Sequence, residues 1–545
     1  MERVFARPLL AAAAIGLAVG LAGVFNHELW TPDEPRDAGV GREMWLSGDW
    51  AVPRLSGKAF LEKPPLYWWA QATVFEAAGR SSAGLARLTS ALFGLAALAA
   101  TFALGRRYFP PEACLLGTLV LCTTYGFLSQ SHWVLVDSAL AAATTAAFAA
   151  YAHAEGRSGP ARSALRGVLH ASLALAFLAK GVIGVGLVAL GLGCHLLWTR
   201  RLRRFLGLHL LGGAALVVAV AGLWLWRLTA VEGPDGLREF LMVNQLGRFL
   251  PGAVEYTGGH QRPLLYYLRQ LPADLLPWTP LALLGALAAR RALPSLPARE
   301  ADGIRLIAAG SVPALVVLSL AGTKRGLYLL PLLPLLALLV GWWMARPVAG
   351  ARWERGLARA WRAVLVAISG ALCLAAPFLD RAWLIPSLVA VGFFGAAAVL
   401  LLRAPAATPP GRWLAPVLLV CLGWILGLET AVPANDPNKN MRPLLEAVNR
   451  QVPRDAPLYL FEPSETTRGY VAFYTDFRHP VLLDGIPALR ALAESDPGAW
   501  VVIEGKRERG SYGEVRDAGI PHEVLARHES LSGRVLVLAR VGRPP

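Results

Sequence analysis

The sequence predicts an α-helical polytopic membrane protein with about thirteen transmembrane helices, followed by a small C-terminal α/β domain. Of its 545 residues, 55% are apolar and only 17% are charged, whereas soluble proteins carry about a quarter charged residues. Apolar stretches long enough to cross a bilayer recur along the chain, and short arginine-rich clusters separate them. The composition therefore excludes an ordinary soluble enzyme, and the net charge of +16 indicates cytoplasmic loops and no nucleic acid partner.

Each predicted span is an apolar segment of about 20 residues. The first, residues 9–25, is expected to be retained, because Asn26-His27-Glu28 lacks the small residues of a cleavage site. Residues 167–198 are too many for one helix, so two are expected, meeting at Lys180-Gly181. The other predicted spans are residues 88–104, 113–128, 139–152, 205–226, 271–289, 304–321, 327–344, 364–379, 382–402 and 413–428.

The arginine clusters predict the orientation, because positive residues favour cytoplasmic loops. They place the N-terminus inside and, with an odd number of spans, residues 435–545 outside. This tail alternates strand-like and helical patterns, so it is predicted to be a separate α/β domain after a membrane module of residues 1–431. Residues 64–79, within the external loop 26–87, are apolar and proline-led, which predicts a helix lying along the interface.

Candidate functional residues concentrate in the predicted external loops. Asp33, Glu34 and Arg36 follow the first span directly, and prolines hold them near the membrane surface. The alternative is that these are ordinary solvated loop charges. Glu62 and Lys63 precede an aromatic run, where a lysine either anchors the interface by snorkelling or binds the phosphate of a lipid-linked donor.

A second group of polar residues stands at the outer ends of later spans. Asp137 begins one span, where it either caps the helix or has a functional role. Lys180, Lys324 and Arg325 oppose the positive-inside trend, so each needs an anionic partner or snorkels. The fourth external loop contributes further candidates, of which the tyrosines alone would be read as interface aromatics: Arg248, His260, Tyr266 and Tyr267.

In this order, the motifs resemble the ArnT-type polyprenyl-phosphate-dependent glycosyltransferases. The resemblance covers essentially the whole chain and implies the GT-C fold, with interfacial helices in the first external loop and a periplasmic domain after the last span. The segments that carry it are Asp33-Glu34-Pro35-Arg36, Glu62-Lys63-Pro64-Pro65, the Asp137 loop, Lys180-Gly181, Arg248-Phe249 before His260 and Tyr266-Tyr267, Lys324 with the seven residues after it, and Asn435-Asp436 through Arg442-Pro443.

The resemblance also implies roles for single residues. Asp33 would be the catalytic carboxylate, and Asp137 a second essential acid facing the same cavity. The donor phosphate would be bound by Lys63, Arg248, Lys324 and Arg325. The cavity would be lined by Glu34, Arg36, Glu62, Lys180, His260, Tyr266, Tyr267 and Tyr328. Two positions depart from the family: Asp37 replaces a common aromatic, and Gln245 replaces a histidine associated with a bound metal. No metal or other cofactor is therefore predicted.

The implied function is transfer of a sugar, such as 4-amino-4-deoxy-L-arabinose, from undecaprenyl phosphate to lipid A. The protein would lie in the bacterial inner membrane, act at its periplasmic face and invert the configuration of the sugar. One alternative keeps this donor chemistry but uses a protein Ser/Thr, as mannosyltransferases do, or another cell-envelope glycan as acceptor. A transporter or lipid flippase is a more distant alternative, because the charges gather at one membrane face and no internal repeat is visible.

Overall fold

The structure is a computed structural model that describes residues 7–204, 210–247, 260–346, 352–379, 381–385, 387–389, 391–392, 411–477, 479–506, 511–530 and 533–543. The chain divides into two compact units. The first unit comprises Met1–Val24, Glu62–Leu66 and Ser90–Ala431, and the second comprises Phe25–Leu61, Tyr67–Thr89 and Val432–Pro545. The first external loop is thus divided, and most of it groups with the C-terminal tail. The domain boundaries at residues 431 and 435 stay a prediction.

The first unit is helical and contains most of the predicted spans. Within the described ranges, six helices are long and apolar enough to cross a membrane, or up to eight if each bent pair is one span. The protein is therefore a multi-pass membrane protein, and the count of thirteen is not confirmed. The predicted span 382–402 lies largely outside the described residues. The helices are α1 (Pro8–Leu21), α4 (Ala83–Tyr108, entering from the second unit), α5 (Pro111–Cys122), α6 (Tyr125–His132), α7 (Asp137–Ala154), α8 (Gly159–Lys180), α9 (Val182–Trp198), α10 (Leu210–Arg238), α11 (Tyr266–Asp274), α12 (Thr279–Ala292), α13 (Ala298–Leu320), α14 (Leu333–Met344), α15 (Arg352–Leu379) and α16 (Gly411–Asn435).

Two predicted spans are not single straight helices. Residues 113–128 form α5 and α6, which are bent by 61°. The hydroxyls of Thr123 and Thr124 bond back to the carbonyls of Leu119 and Val120, each at 2.7 Å. The Tyr125 N–H instead donates to the carbonyl of Leu276, 2.8 Å away. Because that N–H leaves the helical ladder, the helix breaks there.

Residues 271–289 likewise belong to a bent pair, α11 and α12, with a bend of 106°. Pro277 lies between them and has no N–H to continue a helical ladder. The predicted span is therefore not one straight helix. In contrast, residues 167–198 form two helices as predicted, and Gly181 between them has a φ of 70°, in the left-handed region that glycine tolerates.

Close packing holds α5 against α14 in the core of the first unit. A Cβ on Gly341 would lie within 2.6 Å of the Gly117 Cα, so both glycines permit the close approach of the two backbones. Buried side chains such as Leu116 and Trp342 fill the adjoining core.

The second unit combines short helices with a mixed five-stranded sheet, as the alternating pattern of the tail predicts. The strand order is β4-β3-β5-β7-β6, with β3 parallel to β4 and β5, and β7 antiparallel to β5 and β6. Helix α2 packs on α18, where a Cβ on Gly39 would lie 3.0 Å from the Gly469 carbonyl oxygen. The elements are α2 (Glu34–Ser47), β1 (Arg54–Leu55), β2 (Lys58–Ala59), α3 (Leu66–Ala78), α17 (Arg442–Gln451), β3 (Leu458–Phe461), α18 (Glu465–Tyr474), β4 (Val481–Leu483), α19 (Ile486–Ser495), β5 (Trp500–Lys506), α20 (Ser511–Asp517), β6 (His522–Glu529) and β7 (Arg534–Val541).

Candidate active site

Asp33 lies in the second unit, immediately before the first residue of α2. Its Oδ1 is 3.0 Å from Nη2 of Arg36, one helical turn later. The same Nη2 is 3.0 Å from Oδ2 of Asp37, and Nη1 is 3.4 Å from the carboxylate of Glu465 on α18. The Asp33 side chain is 13% exposed, whereas that of Asp37 is fully buried. Arg36 therefore fixes the orientation of Asp33 and leaves part of its carboxylate accessible.

Glu34 is engaged inside the second unit. Its carboxylate accepts hydrogen bonds from Nε of Arg87 at 2.7 Å and Nη2 at 2.9 Å, and from the Trp30 N–H at 2.8 Å. Both charged side chains are almost completely buried, so this pair joins the start of α2 to α4. The bonds favour a structural role for Glu34 over the predicted position in a cavity wall, which stays untested.

Lys63 lies in the first unit, on the short segment Glu62–Leu66. It is 7% exposed, and its ammonium makes no hydrogen bond or ion pair with any residue in the described ranges. Glu62 beside it is half-buried and engaged in an interaction of its own. A largely buried lysine whose ammonium has no protein partner in the described ranges is suited to bind an anionic ligand.

Asp137 and Lys180 form an ion pair between the start of α7 and the end of α8. Val136 is the N-cap residue of α7, and Asp137 lies in the first turn, where its carboxylate binds Lys180. Its second oxygen, Oδ2, is buried without a hydrogen bond in the described part of the chain. The Lys180 ammonium also lies 4.2 Å from the ring centroid of Tyr328. The structure thus brings three predicted site residues together and leaves the buried Oδ2 of Asp137 without a hydrogen bond.

The loop around Lys324, which is predicted to be external, contains a second group of predicted site residues. The Lys324 N–H donates to the carbonyl of His260 at 3.0 Å, and its ammonium donates to the carbonyls of Ala321 at 2.6 Å and Arg262 at 3.1 Å. Lys324 is only 5% exposed, and this burial lowers the pKa of its ammonium. These bonds assign Lys324 to holding the loop, and its predicted phosphate contact stays untested.

Tyrosines support the same loop. The hydroxyl of the buried Tyr267 donates to the carbonyl of Arg325 at 3.1 Å, and the rings of Tyr266 and Tyr267 meet edge to face with centroids 5.1 Å apart. The hydroxyl of Tyr266 donates a hydrogen bond to the side-chain oxygen of Gln270 at 3.1 Å. The tyrosines therefore fix the backbone from which the Arg325 side chain projects.

Residues 248–259 lie outside the described residues, so Arg248 has no structural account. The nearby departure from the family, Gln245, is described: its side-chain oxygen accepts the N–H of Val182 at 3.2 Å. In the described ranges, no three His, Cys, Asp or Glu side chains gather as metal ligands. The Gln245 amide is engaged with the backbone at this position.

The sequence analysis missed two residues that hold the predicted acids. Arg87 binds Glu34, and the signal was an arginine at the outer start of a span, against the positive-inside trend. Asp37 was noted only as a departure, although its carboxylate binds Arg36. Both are internal partners that become visible only when the chain is folded.

Known proteins resemble the chain at both the sequence and the fold level. A family model for dolichyl-phosphate-mannose-protein mannosyltransferase matches residues 7–232. The undecaprenyl phosphate-alpha-4-amino-4-deoxy-L-arabinose arabinosyl transferase of Pseudomonas aeruginosa strain LESB58 is 29% identical over 327 residues, 59% of this chain and 56% of that protein. Transferase 1 of the same description from Sodalis glossinidius is 31% identical over 344 residues, 60% of this chain and 58% of that protein. The matches therefore span little more than half the length of these relatives.

The fold comparison covers more of the chain. The crystal structure of ArnT from Cupriavidus metallidurans bound to undecaprenyl phosphate matches with a TM-score of 0.76, 21% identity and 97% coverage of both chains. Its apo structure matches with the same TM-score. The chain therefore has the GT-C fold of ArnT, and the resemblance to ArnT-type proteins predicted from its motifs is confirmed.

Proposed function

We propose that the protein is a polyprenyl-phosphate-dependent glycosyltransferase that moves 4-amino-4-deoxy-L-arabinose from undecaprenyl phosphate to lipid A. The sugar and the lipid carrier are those that appear in the names of the two arabinosyl transferases that the chain resembles. The protein would act in the bacterial inner membrane, with its N-terminus in the cytoplasm and the residues after Asn435 in the periplasm. The arginine-rich loops support this orientation.

Lys63 carries the proposal, because it is a buried cation that lacks a partner among the described residues. The phosphodiester of a lipid-linked sugar would supply the missing charge. During transfer, the bond from the sugar's anomeric carbon to the phosphate oxygen breaks, and its electron pair stays on that oxygen. The leaving phosphate gains negative charge, which a fixed ammonium in a partly dry site stabilises without reorganising.

Asp33 is proposed as the catalytic carboxylate, held by Arg36 and accessible in part. With a hydroxyl acceptor, it would take the proton as the acceptor oxygen attacks the anomeric carbon. A phosphate acceptor, as on lipid A, is already ionised and has no such proton to lose. Asp33 would then orient the nucleophile or stabilise positive charge that develops at the anomeric carbon. In both cases a single direct attack inverts the sugar.

Asp137 is proposed as a second essential acid through its unbonded Oδ2. Lys180 neutralises the other oxygen and is itself held over Tyr328. A hydroxyl or ammonium of the sugar could donate to Oδ2, which would position the donor. This role would make Asp137 a binding group for the sugar and leave the reacting bond to Asp33 and Lys63.

A second acceptor remains open because the matching family model describes protein mannosyltransferases. The decisive measurement is mass spectrometry of lipid A and of envelope proteins from cells with and without the gene. Loss of a 4-amino-4-deoxy-arabinose adduct from lipid A would support the proposal. Unchanged lipid A together with loss of hexose from a protein would transfer the assignment to the protein acceptor.

The donor contact can be tested on the purified protein. Lys63→Ala should bind undecaprenyl phosphate about ten- to a hundredfold more weakly, because it loses a charge-assisted contact worth about 1.5–3 kcal/mol. Lys58→Ala is the matched control, since Lys58 is exposed on β2 only five residues earlier. Equal affinity of the Lys63→Ala protein and the wild type would remove the phosphate-binding role.

A further inference from the structure

A buried arginine lies far from the candidate active site. Arg166 stands on α8, fourteen residues before Lys180, and therefore about 21 Å away along the helix axis at about 1.5 Å per residue. It is 8% exposed, and its guanidinium makes no hydrogen bond or ion pair with any residue that the structure describes. A snorkelling arginine would place its guanidinium in water. In Arg166 the Nε is instead covered and makes no hydrogen bond, so part of the guanidinium lacks a partner.

The surroundings of Arg166 define the face on which that anion would bind. Arg162, Arg166 and His170 follow one another at four-residue intervals, so they share one face of α8. The His170 ring occupies the space that a Cβ on Gly213 would need, which sets this face against the beginning of α10. The residues that follow Arg166 on α8, Gly167 and Val168, are exposed. The site therefore lies at the periphery of the first unit, where a lipid can approach.

Arginines outnumber carboxylates around Arg166. The charge of Glu155 acts on Arg166, but Glu155 is also paired with Arg204 and lies 3.8 Å from Arg162. Asp302 is paired with Arg201 at 3.0 Å. Residues 205–209, which lead into α10, contain no aspartate or glutamate in the sequence. Three guanidinium groups therefore share one carboxylate, and an anion that binds between them would supply the missing negative charge.

Apolar side chains on the same helix indicate the kind of anion. Val168 and Leu175 are 50% and 44% exposed on α8, a surface suited to acyl chains. Guanidinium groups bind phosphate through two parallel hydrogen bonds, and basic pockets between membrane helices bind anionic headgroups. We propose that Arg166, assisted by Arg162, binds the headgroup phosphate of an anionic phospholipid at this end of α8. This site is separate from the proposed donor site at Lys63.

The test measures lipid binding to the full-length purified protein by native mass spectrometry. Dioleoylphosphatidylglycerol should bind the wild type at one tight site, and Arg166→Gln should weaken that binding about tenfold or more. Arg157→Gln is the matched control, because Arg157 is exposed and lies just before the same helix. Unchanged phosphatidylglycerol binding to Arg166→Gln would overturn the proposal.

Further measurements separate the outcomes. Dioleoylphosphatidylcholine should not occupy the site, and inorganic phosphate should not compete at millimolar concentration. Effective competition by inorganic phosphate would overturn the lipid assignment in favour of a free anion. If Arg166→Gln does not fold, Arg166→Lys keeps the charge but loses the bidentate geometry, and should still weaken binding. Undecaprenyl phosphate affinity should be unchanged, and its loss would place the effect at the donor site.

Discussion

The Asp137–Lys180 pair allows stability and function to be separated. The two charged side chains are unequally buried: that of Asp137 is 1% exposed and that of Lys180 is 12% exposed. Lys180→Met leaves a buried carboxylate without a partner, which typically costs about 3–5 kcal/mol. Asp137→Asn leaves an ammonium that still lies over Tyr328, 4.2 Å from the ring centroid. A cation–π contact is worth about 0.5–2 kcal/mol, so this second change should destabilise less.

The double variant Asp137→Asn/Lys180→Met completes the cycle. Removing both charges should restore most of the lost stability, because replacing a buried ion pair by neutral groups is often close to neutral. We therefore expect a coupling energy of at least about 3 kcal/mol between the two residues, because most of the loss caused by Lys180→Met alone is absent from the double variant. SDS-induced unfolding of the protein in mixed micelles measures each free energy of unfolding.

Activity should behave differently from stability. If Asp137 contacts the sugar through Oδ2, the double variant regains stability but stays inactive in transfer from a polyprenyl-phosphate donor. A double variant that regains both stability and activity would show that the pair only holds α7 against α8. Additive losses of stability in the two single variants would refute the ion pair itself, since independent residues do not couple.

Three further predictions concern catalysis, topology and pH. Asp33→Asn should keep its donor affinity but lose turnover by about a hundred- to ten-thousandfold, and near-normal turnover on the true acceptor would exclude Asp33 as the catalytic carboxylate. In a background without native cysteines, an externally added thiol reagent should label a cysteine at Ser464 and spare one at Arg203, and the reverse pattern would invert the topology. Burial raises the pKa of Glu43 above its ordinary 4.5, because the folded state favours the neutral carboxyl. The wild type should therefore lose stability as pH rises through the raised pKa, whereas Glu43→Gln stays neutral. Thermal unfolding at pH 4.5 and 7.5 should show that the variant gains stability relative to the wild type at the higher pH, and a stability difference between the two proteins that is equal at both pH values would contradict this.

The sequence was sufficient for elements whose pattern is local. The strand-like runs of the tail appear as β3, β5 and β7, and the charge at Lys180-Gly181 marks the end of α8. The two bent helix pairs could not be predicted in the same way. The break after α5 depends on the Tyr125 N–H finding the Leu276 carbonyl, a contact across about 150 residues of sequence. Hydropathy records only that such segments are apolar.

The candidate site shows the same limit for side chains. Sequence position identified Asp137, Lys180 and Tyr328 as candidates, but their mutual contact depends on how α7, α8 and the turn before α14 meet. Glu34 and Lys324 also looked like free charges at a membrane surface. In the folded chain both are engaged, Glu34 by Arg87 and Lys324 by backbone carbonyls. Loop polarity cannot distinguish a charge that supports the fold from one that is left for a ligand.

Lys63 is the charge for which that distinction matters most. The same aromatic run that suggested a snorkelling anchor instead accompanies a lysine that is 7% exposed. An exposed anchor has water as its partner, so its removal would cost little. A lysine that is largely buried and has no protein partner in the described ranges has less of this compensation.

The acids around Arg36 show how a family departure can leave the catalytic assignment intact. Nη2 of Arg36 is 3.0 Å from both Asp33 and Asp37, so two carboxylates share one guanidinium. Asp37 is completely buried and cannot meet a substrate, whereas the Asp33 side chain is 13% exposed. Asp37 binds the same guanidinium as Asp33 and so helps to hold Arg36 in place. It stands at the position where an aromatic residue is common in ArnT-type proteins. The departure changes how the first acid is supported, and the accessible carboxylate remains that of Asp33.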